Sequence, residues 1–459
     1  MNSSFVITGR RILEAEYLQL EDEGRDAGPL QAAFKAMEGL DLDNELVLQP
    51  LAEKLLDMAA EMPMRADYPY AEPSDLAGIR AARPAGPRNL PVRENDGVLF
   101  DRVYGAWLGR CAGCLLGKPL ESWYSWQIWG YLKDTGQYPL RDYVRGDVPK
   151  KALRKHNITI WRDFAFAERI KHMVEDDDTN YTVMGLAILR QHGAGFLPEH
   201  VAQFWMQHLP INHTCTAEHI AYRNFSMGIA PPRSALFRNP CREWIGAQIR
   251  GDFFGYAALG RPELAAEWAW RDACVSHVKN GIYGEMWVAA MLAAAAVEQD
   301  IRRVIEIGLS EIPARSRLGE AIRDVLRWRR RKISFREAVR RIHRRWPEKI
   351  LHYCGHTVAN AQIVAAGLLW GEGDFERSIC LAVDACYDTD CNGATVGSIV
   401  GMLRGAASLP SKWIEPLNDT LETGVALYPR LVKISDLAGE GFDLYRRIRT
   451  EMAGRQRRK

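Results

Sequence analysis

Glycine occupies four positions spaced four apart, Gly105, Gly109, Gly113 and Gly117, within an otherwise apolar stretch that starts near Asp101. At 3.6 residues per turn these four line one face of a helix. Each costs up to about 1 kcal/mol against alanine in a helix interior, so a run of four makes sense where the missing side chains let a second backbone come close. Pro119 ends the helix and leaves Glu121 just beyond it. In a soluble chain such a stripe marks the centre of a tight helical bundle. The remaining sequence agrees: helix-like stretches recur at 199–209, 216–227, 242–258, 263–275, 284–299, 301–309, 317–330, 335–346, 357–371, 375–385 and 393–405, while Val/Ile-rich alternating strands are nearly absent. The expected class is all-α.

Three parts follow from the pattern. Residues 1–95 form a helical N-terminal extension, with apolar positions at helical spacing such as Leu13, Tyr17, Leu18, Leu30, Phe34, Met37, Leu46 and Leu55, followed by a linker rich in proline (Pro63, Pro69, Pro73, Pro84, Pro87, Pro91). Residues 96–430 hold the main domain, and 431–459 a C-terminal helix with a basic tail expected to be disordered from Arg455. Within the main domain, 123–165 is aromatic and charged (Trp123, Tyr124, Trp126, Trp129, Tyr131) and reads as an irregular insertion near the pocket.

A chain of 459 residues, 47% hydrophobic, has ample material for a large core. Lys plus Arg (60) nearly cancels Asp plus Glu (58), which gives no overall charge argument for nucleic acid or a membrane surface. The basic run from Arg327 to Arg345 reads as a solvated helical face. No signal-like or membrane-length apolar run occurs, so the chain reads as soluble and cytoplasmic. Nine scattered cysteines suit free thiols in a reducing compartment, Cys111-x-x-Cys114 included.

The chemistry concentrates in two acidic clusters. Glu175-Asp176-Asp177-Asp178-Thr179 runs straight into the apolar Val183–Leu189, with Asp178 or Thr179 able to cap the helix. About two hundred residues later, Asp388-Thr389-Asp390-Cys391-Asn392 leads into a second helix rich in small residues. So many adjoining carboxylates repel one another unless positive charge sits among them. Carboxylate and hydroxyl oxygens are what Mg²⁺, Mn²⁺ or Ca²⁺ prefer, so the two clusters are expected to face each other across hard divalent cations.

Four segments in this order, Gly117-Lys118-Pro119-Leu120-Glu121, Asp177-Asp178-Thr179, Ser276-His277-x-x-Asn280-Gly281-Ile282-Tyr283-Gly284-Glu285 and Asp388-Thr389-Asp390, resemble the ADP-ribosylglycohydrolase family over roughly 100–425. The resemblance implies an all-α, orthogonal multi-helix bundle with two Mg²⁺ (Mn²⁺ possible) in a cleft. It also implies hydrolysis of an N- or O-glycosidic bond at C1 of the distal ribose of an ADP-ribosylated substrate, releasing ADP-ribose. By the same resemblance Asp176, Asp177, Asp178, Asp388, Asp390 and Cys391 are the metal positions, and Glu121, Asp176 and Asp178 the catalytic ones. Glu121, His277, Asn280, Gly281, Tyr283 and Gly284 are the substrate-contacting positions. The chain departs from the family in three places. Asp176 stands where a threonine is usual, Cys386-Tyr387 where a glycine often precedes the second cluster, and Cys391 is a soft, poor ligand for Mg²⁺.

Breaking a ribosyl bond builds positive charge at C1, which calls for a held sugar, a placed water and nearby anionic oxygen. Two cations about 3.5 to 4 Å apart can hold the ribose hydroxyls while a carboxylate takes the proton of the water. The partner is an ADP-ribosylated protein or a small ribosylated molecule, with no nucleic acid and no membrane expected. Two alternatives stand beside this reading: a hydrolase of a small ribosylated metabolite or nucleoside, and a non-catalytic ADP-ribose binder. Trp123, Tyr124 and Tyr283 are candidates for stacking on a base, with core packing the alternative for each.

Overall fold

The computed structural model describes residues 9–37, 40, 49–160 and 162–456; Leu46 of the extension and residues 457–459 of the tail lie outside the described residues. The fold is an all-α bundle, and the strands described are a single antiparallel pair, Thr420–Glu422 with Leu431–Lys433.

At its centre is the glycine helix, Asp96–Gly117, capped by Asn95, whose side chain accepts from Val98 N–H. Its stripe lies against the small-residue helix that follows the second acidic cluster, Thr389–Arg404. A Cβ added at Gly105 would meet Gly401 O, at Gly109 Gly397 O, at Gly113 Gly393 O and at Gly117 Thr389 O. The rising numbers of one helix match the falling numbers of the other, so the two run antiparallel, backbone on backbone. The end of the first is thereby brought to the start of the second, and Thr389 Oγ donates to the buried helix-end carbonyl of Gly117 at 2.9 Å.

The helix of the first acidic cluster, Asp177–His192, is held by a different device. Arg110 of the glycine helix is wholly buried and donates to Asp178 O (2.7 and 3.1 Å), Asp178 Oδ1 (3.0 Å), Asp252 Oδ2 (2.7 Å) and Ile249 O (2.6 Å). One helix therefore places both acidic segments, one through its glycines and the other through its arginine. Around them, Lys279–Ala295 and Thr357–Gly371 are buried over nearly their whole length, as helices inside a large core must be.

The extension is helical at Gly9–Asp22, Gln31–Met37 and Gln49–Ala60, with a small core of its own built on Leu13, Leu20, Leu30, Phe34 and Leu55. It is fastened to the main domain by buried ion pairs. Arg242 lies between Glu16 (2.7 Å) and Glu23 (2.9 Å), and Arg317 between Glu72 (2.8 Å) and Glu243 (2.7 Å). The proline-rich linker carries one short helix, Leu76–Ala82, and is pinned by Arg83 and Arg88 to Glu311.

Several expected boundaries change. The segment 242–258 is not one helix; it holds a 3₁₀ turn at Gln248–Arg250 and a short helix at Asp252–Tyr256. Its apolar content comes from tight packing, because Gly246 backs onto the Glu218 carboxylate and Gly251 onto Glu285 O. The aromatic insertion contains regular helices at Ser125–Asp134 and Lys150–Lys155. The C-terminal helix Ile434–Gln456 continues into the segment expected to be disordered. In the basic run, Arg329 pairs with Glu372 and Arg341 with Glu337, while Ala338, Val339 and Ile342 turn inward. Among the described residues no helix is long and apolar enough to cross a membrane.

Candidate active site

The antiparallel glycine contact sets Lys118 and Glu121 beside Asp388 and Asp390, and the Arg110 anchor sets Asp176–Asp178 on the same side. Asp176, not Asp178 or Thr179, caps its helix: the Oδ1 atom accepts from Asp178 N–H at 2.9 Å, and the extended backbone at Asp176 (φ −155°, ψ 147°) starts the turn. The Lys118 ammonium stands among the acids, paired with Asp176, with Asp390 (2.9 Å) and with Glu121 (3.1 Å). Glu121 is also held by Arg162 at 2.9 Å.

Lys118 and Arg162 are too little charge for Asp176, Asp177, Asp178, Glu121, Asp388 and Asp390, since Arg110 is shared with Asp252. The deficit pushes most of these acids toward their protonated forms. Burial, with Asp176 and Asp390 adding, pushes Asp177 up to about 7. Burial and Asp390 push Glu121 up to about 8, against Lys118 and Arg162. Asp178 and Asp388 are raised well above the usual carboxylate range by burial and by their neighbouring acids. Asp390 alone goes the other way: burial opposes its charge, but Lys118 holds it below that range.

Ligand atoms of Cys114, Asp176, Asp178 and Asp390 lie within 4.8 Å of one another, and so do those of Asp388, Asp390 and Cys391. The two groups share Asp390, which suits a centre with more than one cation. Asp178 Oδ2 is buried without a hydrogen-bond partner among the described residues, an oxygen that folding would leave bare only at a cost. These residues fit a hard divalent ion. The thiols do not add to that fit: burial and the adjacent carboxylates push Cys114 and Cys391 upward, so they stay protonated. Cys391 supports the site differently, by donating its backbone N–H to Asp390 Oδ1 at 3.1 Å.

Where the family often has glycine, Cys386 and Tyr387 take φ of 72° and 62°. Two successive non-glycine residues in the left-handed region cost about 1–2 kcal/mol each. The turn they make delivers Asp388 into the cluster.

A third acid and imidazole group, Asp22, His352 and His356, has the wrong proton placement for a metal. Trp244 Nε1–H donates to His352 Nδ1 (3.1 Å) and Val358 N–H to His356 Nδ1 (3.1 Å). Neutral rings in those positions carry their proton on Nε2, and His352 uses it toward Asp22 at 3.2 Å. The group ties the extension to the main domain.

The pattern of the ADP-ribosylglycohydrolase family matches residues 95–450. The chain belongs to the ADP-ribosylglycohydrolase family. Membership makes it a hydrolase acting on glycosyl bonds. No curated protein matches the chain. Among solved structures it is similar to an "ADP-ribosylglycohydrolase-related protein complex", at 19% identity and a TM-score of 0.45, covering 76% of this chain and 99% of that one.

The expected substrate-contacting set is divided by the ADP-ribosylglycohydrolase bundle. Glu121 is at the acid cluster. Asn280, Tyr283, Gly281 and Gly284 are in the first turns of a buried helix, and their partners are structural. Asn280 donates to Glu72 and Glu243 at 2.8 Å, and Tyr283 O–H donates to Pro73 O, so both fasten the extension. A Cβ at Gly281 would meet Arg242 O and one at Gly284 would meet Thr357 Oγ, so both glycines allow close packing of their helix against its neighbours. His277 is buried beside Ser276 Oγ (2.8 Å) and 3.9 Å from Glu218, and burial together with Arg250 keeps it neutral.

Sequence reasoning missed Lys118, Arg110 and Glu218 as members of the site. Lys118 was readable in principle, as the one cation between the glycine helix and Glu121. Glu218, which burial lifts to about 7 against Arg250 and whose charge reaches Asp177, has no local signal in the sequence.

Proposed function

We propose that this glycosyl hydrolase is metal-dependent and cleaves the N- or O-glycosidic bond at C1 of a ribose, in the manner of an ADP-ribose conjugate releasing ADP-ribose. The observation that carries this reading is the meeting of two acidic segments, distant in sequence, around Asp390 with Asp178 Oδ2 left unpartnered. Asp176, Asp178, Asp388 and Asp390 would hold the cations, Mg²⁺ or Mn²⁺, with Asp177 at the half-buried edge. When bound, the ions supply the charge that the crowded carboxylates lack and a Lewis-acid seat for vicinal ribose hydroxyls.

The remaining chemistry belongs to the chain. Glu121, oriented by Lys118 and Arg162, accepts the proton of the attacking water. Asp176 and Asp178 supply the anionic field that stabilises positive charge at C1. Arg110 and the Asp176 cap hold these carboxylates in place, so the site is organised before substrate arrives. Partners on this reading are ribosylated substrates; nothing in the site calls for nucleic acid.

The test is turnover of a panel of ribosylated compounds, with ADP-ribosyl-arginine and ADP-ribosyl-serine peptides among them, in Mg²⁺, Mn²⁺ and EDTA. Release of ribose or ADP-ribose that needs the metal and disappears in Asp390→Asn supports the proposal. Binding of ADP-ribose with no turnover in any metal would make the chain a binder.

A further inference from the structure

A cleft of about 750 Å³ has walls that adjoin the acid cluster in sequence, and the N-terminal extension lines one side of it. Leu13, Tyr17 and Phe34 come from the extension; Trp123, Tyr124 and Tyr387 face them. Two stretches of the cleft wall adjoin the acids along the chain. Trp123 and Tyr124 follow Glu121 by two and three residues, and Tyr387 immediately precedes Asp388. Cys354, also in the wall, lies within electrostatic reach of Asp388, Glu348 and Glu121.

We infer that the extension builds a subsite for the leaving group, and that this group is a neutral planar heterocycle of nucleobase size, so that the substrate is a small N-riboside and not a modified protein. The inference rests on the ribosyl-hydrolase reading and adds the substrate class to it.

Three observations support it. First, Tyr17 and Tyr124 line the cleft beside Leu18 and Leu351, and Tyr124 is 40% exposed, open to a ring laid on it. Second, the rim carries Glu14 and Glu348 against Lys35 and Lys349, a balance that favours neither a guanidinium nor a phosphate. Third, the wall is fixed. The extension is held by Arg242 between Glu16 and Glu23 and by Arg317 between Glu72 and Glu243, all buried. Small-molecule pockets fall at about 300–1,000 Å³, whereas a protein partner needs roughly 800 Å² of open surface on each side. The extension also lies outside residues 95–450, the part of the chain that the family pattern matches.

In the reaction a water oxygen bonds to ribose C1, the C1–N bond breaks with its electrons going to nitrogen, and the water's proton passes to the leaving base. No oxidant or second substrate is needed.

The experiment uses the full chain with Mg²⁺ and four common ribonucleosides, set against an ADP-ribosylated protein, together with calorimetric titration of the free bases. Leu18→Trp, which places an indole in the cleft, and Tyr124→Ala, an exposed position whose loss does not threaten folding, are the variants. The expected result is hydrolysis of at least one nucleoside at a higher kcat/KM than the protein, with tenfold or greater loss of base affinity in both variants and a rise in KM that exceeds the fall in kcat. Faster hydrolysis of the ADP-ribosylated protein, or base binding that is absent or unchanged by both variants, would overturn the inference. Base binding lost in the variants without turnover of any riboside would keep the subsite and overturn the hydrolase reading instead.

Discussion

Adding one methyl group at Gly397 should destabilise this protein at its centre, although alanine is the better helix former. A Cβ built there would lie 2.0 Å from Gly109 O, and Cβ atoms essentially never come within 3.0 Å of such an atom. Because the obstacle is backbone and not a side chain that can turn away, the two helices must part by about 1 Å along the contact that also sets Lys118 beside Asp390. Overpacking of this kind costs about 1–3 kcal/mol and sometimes more, while the helix-propensity gain of Gly→Ala returns about 1 kcal/mol. With an immovable obstacle the upper end applies, for a net loss of about 2 kcal/mol. Gly439, in the C-terminal helix, is the control: a Cβ there meets nothing within 4 Å, so Gly439→Ala should stabilise by up to about 1 kcal/mol. Urea unfolding followed by circular dichroism measures both, with a lower midpoint for the first and a higher one for the second at similar slopes. Equal midpoints for the two variants would refute the argument that backbone contact at the stripe organises the fold.

Other consequences can be measured on the same preparations. Arg110→Met strands the Asp178 and Asp252 carboxylates in the core and should cost about 3–5 kcal/mol, read as a lower melting temperature; a loss under 1 kcal/mol would mean that Arg110 does not anchor the first cluster. Lys118→Met removes the one ammonium among the acids, so the variant should melt well below wild type in EDTA and recover most of that loss in Mg²⁺, and a variant indifferent to Mg²⁺ would count against the site. Burial lifts Asp384 to about 6, only partly offset by Arg336 and Lys133. Its protonated form therefore lends stability that is complete below about 4 and is lost as pH rises through about 6. Asp384→Asn should accordingly raise stability at pH 8 by about 1–2 kcal/mol and leave it unchanged at pH 4, and the same gain at both values would contradict the sign.

The parts of the fold legible in the sequence were those written in local spacing. The glycine stripe called for a close helix contact, and the helices expected at 301–309, 317–330, 357–371 and 375–385 lie within a residue of their observed ends. The two acidic segments stood out because side-by-side carboxylates before an apolar run need an explanation. What escaped was tertiary. The segment 242–258 has a helix's apolar content, but Arg250 within it is drawn to Glu218, Asp272 and Glu285, and the chain bends to suit. The partners of Asn280 and Tyr283, Glu72 and Pro73, come from an extension whose docking no local pattern announces. The identity of the helix cap turned on one backbone angle: with Asp176 extended, its side chain takes the first free N–H before Asp178 or Thr179 can.

Electron paramagnetic resonance of Mn²⁺ titrated into the purified full chain, wild type beside Asp390→Asn, examines the metal centre without requiring any substrate. The shared position of Asp390 predicts that free Mn²⁺ signal is lost on binding to wild type, that added Mg²⁺ restores it, and that the variant binds far more weakly. If Mn²⁺ stays free in the presence of a folded wild-type chain, or binds equally well to Asp390→Asn, the two acidic segments do not form a cation site.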